Sequence, residues 1–290
     1  MGFHNLPELG AMLMPGAAEY SQSMLRLAAG SAKSIKHVLD IPYGGDRFQQ
    51  LDVWMPATVP PGGLPVVLLI HGGAFRNGHK EWMGAHAPTI TFLPAVLVSP
   101  NYRLVPRIKL PDAVADCFDA LGWVHRNIAD YGGDPRRIHV GGHSAGGHLA
   151  AMLALDHASL RSRDVPPETI NSCLPMSAVF SLMKSDLTAQ SIMLRLYPEM
   201  FDRDSDAVRV TPYTYAAGNA VPFFVAWGER DAPDLIPDNE RMTALARKQG
   251  FLAGSHVFPG ADHFGAHLAC LDEAGPWIAA VRNLAKRPGT

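Results

Sequence analysis

In residues 137–148, RIHVGGHSAGGH, a short apolar run ends in a Gly-x-Ser-x-Gly pattern and passes directly into AGGHLAAMLAL (145–155). The run reads as a strand and its continuation as a helix, so Ser144 falls on the turn between them, where a serine is pushed out at the C-terminal edge of a sheet. Gly142 and Gly146 remove the β-carbons that would collide where strand and helix approach closely, and Ala145 and Gly147 keep the turn slim. The amide of Ala145, with the positive end of the helix dipole behind it, is placed to face a developing oxyanion. The pattern alone recurs by chance in glycine-rich connections; the flanking strand and helix give it meaning.

Outward from this turn the chain alternates. PVVLLIHG (65–72) and AVLVSPNY (95–102) are unbroken apolar runs of the kind buried on both faces of a parallel sheet, with room for a helix between them. PDAVADCFDALGWVHRNIADYGGD (111–134) has helical spacing after a proline and ends at a glycine pair. INSCLPMSAVF (170–180), PFFVAWG (222–228), a helix near 236–249, SHVFPG (255–260) and a last helix near 275–286 continue the rhythm. Near the start, SIKHVLDI (34–41) and FQQLDVWM (48–55), joined by YGGDR, read as an antiparallel edge. The class is α/β, a mostly parallel central sheet with helices on both faces. Residues 181–217 break the rhythm and are rich in Met, Tyr and Phe, which suits a small helical cap. The N-terminal helix, within about 1–30, adds to it, and residues 1–290 read as one domain.

Serine is a poor nucleophile at neutral pH. It needs an imidazole to take its proton and a carboxylate to fix that imidazole, in the chain order serine, acid, histidine. After PFFVAWG the chain opens into ERDAPD, offering Glu229, Asp231 and Asp234; Asp231 leads Asp234 because it comes sooner after the strand ends. After SHVFPG it opens into ADHF, offering His263. His256 lies within a strand, His267 a turn further on, and His143 and His148 belong to the turn itself. HGGAF (71–75) follows a buried strand, with Gly72 as turn-maker and Gly73 and Ala74 as oxyanion donors beside Ala145. Phe75, Trp82, His143, Tyr197, Phe201, Tyr213 and Phe264 are the candidates to line a substrate pocket. The Tyr102-Arg103-Leu104 strip reads as structural. Asp112 and Asp116 read as dipole and capping residues at a helix start.

These blocks resemble the α/β-hydrolases, and within them the group spanning hormone-sensitive-lipase-like esterases and kynurenine-formamidase-like hydrolases. NYRLVP (101–106), LPDAVADCFDALGWV, YGGDPRRIHVGGHSAGGHLA, HGGAF, WGERD and GADHF carry the resemblance over most of 40–285. It implies Ser144, Asp231 and His263 as triad and Gly73, Ala74 and Ala145 around the oxyanion. Two departures from lipase-like members, HGGA for HGGG and His143 for an acidic residue, lean toward the formamidase-like side. The expected activity is a serine esterase acting on small carboxylic esters, short acyl or aryl, with an amidase or arylformamidase as alternative. A catalytically silent binding protein of the same fold is the rival from outside enzymology.

Composition narrows the partners. Lys plus Arg is 25 against 27 for Asp plus Glu, a net charge of -2 without a basic block, so nucleic acid is not expected. Cys117, Cys173 and Cys270 are widely spaced and odd in number, which suits neither a disulfide framework nor a zinc site and fits a reduced cytoplasm. No cofactor or metal is called for. The N-terminus lacks the basic start and continuous apolar core of a secretion signal, and no stretch has the length of a membrane span. The expected partner is a small-molecule ester or amide substrate, with no nucleic acid and no membrane; assembly into a homo-oligomer stays open.

Overall fold

Eight strands among the described residues build one sheet that carries helices on both faces. The structure is a computed structural model, and it describes residue 6 and residues 10–286. In chain order the elements are α1 (Ala17–Ser31), β1 (Lys36–Pro42), β2 (Gln50–Met55), β3 (Leu64–Ile70), a 3-10 turn at Lys80–His86 leading into α2 (Ala87–Phe92), β4 (Val96–Pro100) and α3 (Leu110–Asn127). Then follow β5 (Gly133–His143), α4 (Ala145–Leu155), α5 (His157–Arg161), β6 (Ile170–Met176), α6 (Ile192–Met200) and α7 (Asp204–Arg209). The chain closes with β7 (Phe223–Gly228), α8 (Leu235–Gln249), β8 (Leu252–Phe258), α9 (His263–Ala269) and α10 (Pro276–Ala285).

The strand order is β1-β2-β4-β3-β5-β6-β7-β8. The pairs β1/β2 and β2/β4 are antiparallel, and every pair from β4 to β8 is parallel. The period of two along a strand explains why the central runs are apolar throughout. In β3, Val66, Leu68 and Ile70 enter one core while Val67 and Leu69 enter the core on the other face. Ser144 follows β5, which lies between β3 and β6 with Ile70 beside Gly142 and Met176 beside His143.

Several boundaries differ from the sequence reading, among them those of β5, β6 and β8. β8 begins at Leu252 rather than 255, because it is an edge strand whose residues alternate between exposed and half-buried and so lack a continuous apolar run. β6 ends at Met176 rather than 180, since Ser177 turns into the left-handed region (φ 48°). β5 starts at Gly133, ahead of its apolar portion. Of the expected N-terminal helix within about 1–30, the described portion is α1; residues 1–5 and 7–9 lie outside the described residues. Residues 181–217 form α6, α7 and short 3-10 turns at Lys184–Asp186 and Pro212–Tyr215.

The Tyr102-Arg103 strip ties the end of β4 to its surroundings. The Tyr102 hydroxyl donates to the His71 carbonyl at 3.1 Å, and the Arg103 guanidinium grips Asp116 with bonds of 2.6 and 2.8 Å. Asp116 is therefore the buried partner of Arg103 rather than a capping residue, while Asp112 does accept the Lys109 amide at the start of α3 (3.3 Å). Fork-shaped pairing of this kind fixes direction as well as charge.

Candidate active site

Ser144 sits at φ 56°, ψ -121°, a strained conformation for a residue with a β-carbon, on the turn between β5 and α4. The closeness of the backbones shows why glycine flanks it. A β-carbon on Gly146 would lie 2.0 Å from the Ile70 carbonyl oxygen, and one on Gly142 would lie 2.5 Å from the Gly146 carbonyl carbon. The Ser144 amide donates to the Met176 carbonyl at 2.8 Å, which fastens the turn to β6.

The loop after β3 approaches the same point. Gly73 takes φ 110°, and Ala74 and Phe75 are also left-handed at 54° and 60°, held by bonds from the Arg76 and Asn77 amides to the Gly73 carbonyl. The Gly73 and Ala74 amides have no acceptor among the described residues, and Ala145, as the first residue of α4, has no acceptor within its helix. A third contribution comes from the loops after β7 and β8. His263 Nδ1 and Asp231 Oδ1 are 2.8 Å apart and both side chains are buried. Burial raises the Asp231 carboxyl, but the hydrogen bond and charge of His263 outweigh it and hold the group below the usual carboxylate range. Asp231 is also fixed by the Ala232 amide at 2.8 Å. Asp262 caps α9 by accepting the Gly265 amide at 2.7 Å, which sets the direction in which His263 leaves the helix start. Ser144 Oγ makes no hydrogen bond among the described residues, although it opens onto the same cavity as His263.

That cavity has a volume of about 350 Å³. Ser144, His263, Gly73 and Ala74 lie in its wall, as do Trp82, His143 and Phe264 from the candidate pocket residues. The other four candidates lie elsewhere. Phe75 is fully buried against His148, 5.2 Å between ring centroids, because the left-handed turn sends its side chain into the core. Tyr197 and Phe201 pack on each other at 4.7 Å, and the Tyr213 hydroxyl donates to Asp238 at 2.8 Å. Of the other two carboxylates, Asp234 is in the cavity wall, and Glu229 accepts the Gly260 amide at 2.7 Å, away from His263.

Several wall residues were not singled out from the sequence. Met12, Leu13, Met14 and Tyr20 come from the N-terminal segment, Ile192 and Met193 from the insertion, and Ala232, Pro233 and Leu235 from the loop after β7. A signal was present for Tyr20: with Met24 and Ala28 it forms the buried stripe of α1 at a spacing of four.

Comparison with known proteins places these features in a family. The model of the alpha/beta hydrolase fold matches residues 67–267. Esterase LipQ of Mycobacterium tuberculosis is 32% identical over 236 residues, covering 77% of this chain and 56% of the relative. Carboxylesterase NlhH of Mycobacterium tuberculosis is 33% identical over 212 residues, covering 68% of this chain and 60% of the relative. The chain spans about half to two thirds of the length of the mycobacterial esterases it matches. Among solved structures, the hyperthermophilic esterase of the archaeon Pyrobaculum calidifontis superposes with a TM-score of 0.66 at 26% identity, covering 85% of this chain and 83% of that one. The carboxylesterase EstE1, cloned from a metagenomic library, shares the fold with a TM-score of 0.73 at 24% identity over 96% of this chain and all of its own. By sequence match, sheet order and the strained serine turn between β5 and α4, the chain belongs to the alpha/beta hydrolase fold family.

Proposed function

We propose that the protein is a serine hydrolase that cleaves small carboxylic esters with short acyl or aryl groups. The observation that carries this reading is the buried 2.8 Å pair of His263 and Asp231 facing the cavity onto which Ser144 and the unpaired Gly73 and Ala74 amides open. An ionised Asp231 only accepts, so the hydrogen of the pair lies on His263 Nδ1 and the lone pair on Nε2. Nε2 then takes the proton of Ser144 Oγ as the oxygen attacks the ester carbonyl. The oxyanion is received by the amides of Gly73, Ala74 and Ala145, each such donor being worth about 3 kcal/mol in the transition state. His263 returns the proton to the leaving alcohol, and water repeats the sequence on the acyl-enzyme to release the acid.

The named relatives are esterases, and this supports the ester over the amide. The cavity size supports small substrates, and the residues of 181–217 and the N-terminal segment that line it act as a cap. The deciding measurement is kcat/KM for acetyl, butyryl and palmitoyl esters of one phenol beside an aryl formamide. Short esters are expected to lead. A palmitoyl ester in front contradicts the small-substrate reading, and a formamide far ahead of every ester replaces it with an arylformamidase. Failure of a fluorophosphonate to label Ser144 would leave a silent binding protein of this fold.

A further inference from the structure

Behind the cavity lies a row of imidazoles. His143 lies between His263 and His267, its ring centroid 4.5 Å from each, tilted 41° to His263 and stacked 7° from parallel on His267. His267 meets His86 at 5.0 Å. His86, His143 and His267 are at most 2% exposed. Among the described residues no group of three or more metal-ligating side chains is placed to hold an ion.

The hydrogens follow by elimination. A carbonyl oxygen only accepts, so the 3.0 Å bond between His143 Nε2 and the His263 carbonyl puts the hydrogen on Nε2. Burial holds His86, His143 and His267 below the usual imidazole range, so all three are neutral. One hydrogen then serves the 2.8 Å contact between His86 Nε2 and His267 Nε2, and the Tyr20 hydroxyl closes the other edge of His267 at Nδ1, 2.7 Å away. His86 Nδ1 has no partner among the described residues.

The connections converge on one place. His263 and His267 stand one turn apart on α9, His143 immediately precedes Ser144, and Tyr20 comes from α1 with its ring stacked on Phe264 at 4.6 Å. We propose that His267 is a positioning residue for His263: its face fixes His143, the Nε2–H of His143 fixes the His263 backbone, and Tyr20 and His86 fix the edges of His267. This rests on the reading of His263 as the base.

The test measures kcat and KM for phenyl acetate, and the rate of Ser144 labelling by a fluorophosphonate, in wild type, His263→Ala, His267→Phe and Tyr20→Phe. His267→Phe keeps a flat ring against His143 and loses both edge bonds; Tyr20→Phe removes one oxygen and keeps its stack on Phe264. Displacing a reacting group by about 1 Å is worth about 10²-fold. On that scale kcat is expected to fall about 10- to 100-fold in His267→Phe and about 3- to 10-fold in Tyr20→Phe, with KM within about twofold and labelling slowed in step. Folded variants with wild-type kcat, or with KM raised at unchanged kcat, overturn the proposal, the second pattern belonging to residues that merely hold the cavity wall. If His267→Phe does not fold, Tyr20→Phe decides alone. Activity surviving in His263→Ala overturns the assignment of His263 as the base and this inference together, whereas a dead His263→Ala beside fully active Tyr20→Phe and His267→Phe overturns the positioning alone.

Discussion

At the scale of single residues, the site depends on atoms that have no slack. Ser144→Ala is expected to retain the fold and lose turnover on the order of a millionfold if the three side chains act as a unit, measured with a phenyl ester on purified protein. Asp231→Asn should cost about 10⁴ in turnover, because the amide no longer enforces the Nδ1–H tautomer of His263, while Asp234→Asn, in the cavity wall but with no bond to His263, should act mainly on KM. A larger kcat loss in Asp234→Asn would mean that the acid is misassigned. Steric room makes a separate claim. Gly146→Ala puts a β-carbon 2.0 Å from a backbone oxygen, whereas in Gly147→Ala the first contact is the Ala178 methyl at 2.7 Å. Gly146→Ala is therefore expected to be the more destabilising by more than about 1 kcal/mol in urea unfolding, and equal midpoints would contradict the close approach.

At the scale of elements, the geometry of the candidate site hangs on where helices begin. α9 is seven residues long, begins at His263 and has Asp262 as its cap. Asp262→Ala should lower stability by about 1 kcal/mol and, because the cap sets the orientation of the first helical residue, lower kcat as well. Unchanged kcat at reduced stability would separate the cap from the site. The insertion and the N-terminal segment are joined to the loop after β3 in a similar way: Arg76, next to Phe75, pairs with Glu199 of α6, and Asn77 donates to the Ala11 carbonyl at 3.1 Å. The insertion and the N-terminal segment, which both line the cavity, are thus tied to the loop that offers Gly73 and Ala74.

Across the whole molecule, buried imidazoles set an acid limit. Desolvation lowers His71 and His86 to about 3 and His79, His139 and His148 to about 4, and it also lowers His143 and His267. Each folded-state value is depressed from the ordinary one near 6.5. Above that pH the groups are neutral folded or unfolded and the stability is intact; below it the unfolded chain binds protons that the folded chain refuses. Stability is therefore lost as pH falls from about 6.5 toward 4, at about 1.4 kcal/mol per pH unit for each group. Several groups titrating together exhaust a typical 5–15 kcal/mol within about two pH units. Thermal melts from pH 8 to 4.5 should show a plateau above about 6.5 and a steep decline below it; a flat profile to pH 4.5 would contradict the neutral burial of these rings.

The alternation of apolar runs with helical spacing determined the parallel sheet, because strands buried on both faces and helices buried on one leave different periods in the chain. The turn at Ser144, the loop at 71–75, and the positions of Asp231 and His263 after the last two strands were legible for a related reason: each is a local feature bounded by a strand end. The edge strand β8 extends beyond its apolar signal because half-exposed residues carry little of it, and SAVF (177–180) has the composition of a strand without its conformation because a left-handed residue leaves no mark in composition. The cavity wall was legible only in part. Trp82, His143 and Phe264 reach it, but Phe75, Tyr197, Phe201 and Tyr213 do not, since an aromatic side chain serves core and pocket equally well and only its direction in three dimensions separates them. The tertiary structure alone decided that Tyr20, 124 positions before Ser144, would meet His267, itself bonded to His86, behind His263, because those contacts depend on how α1, α9 and the turn at Lys80–His86 pack and on nothing local to any of them.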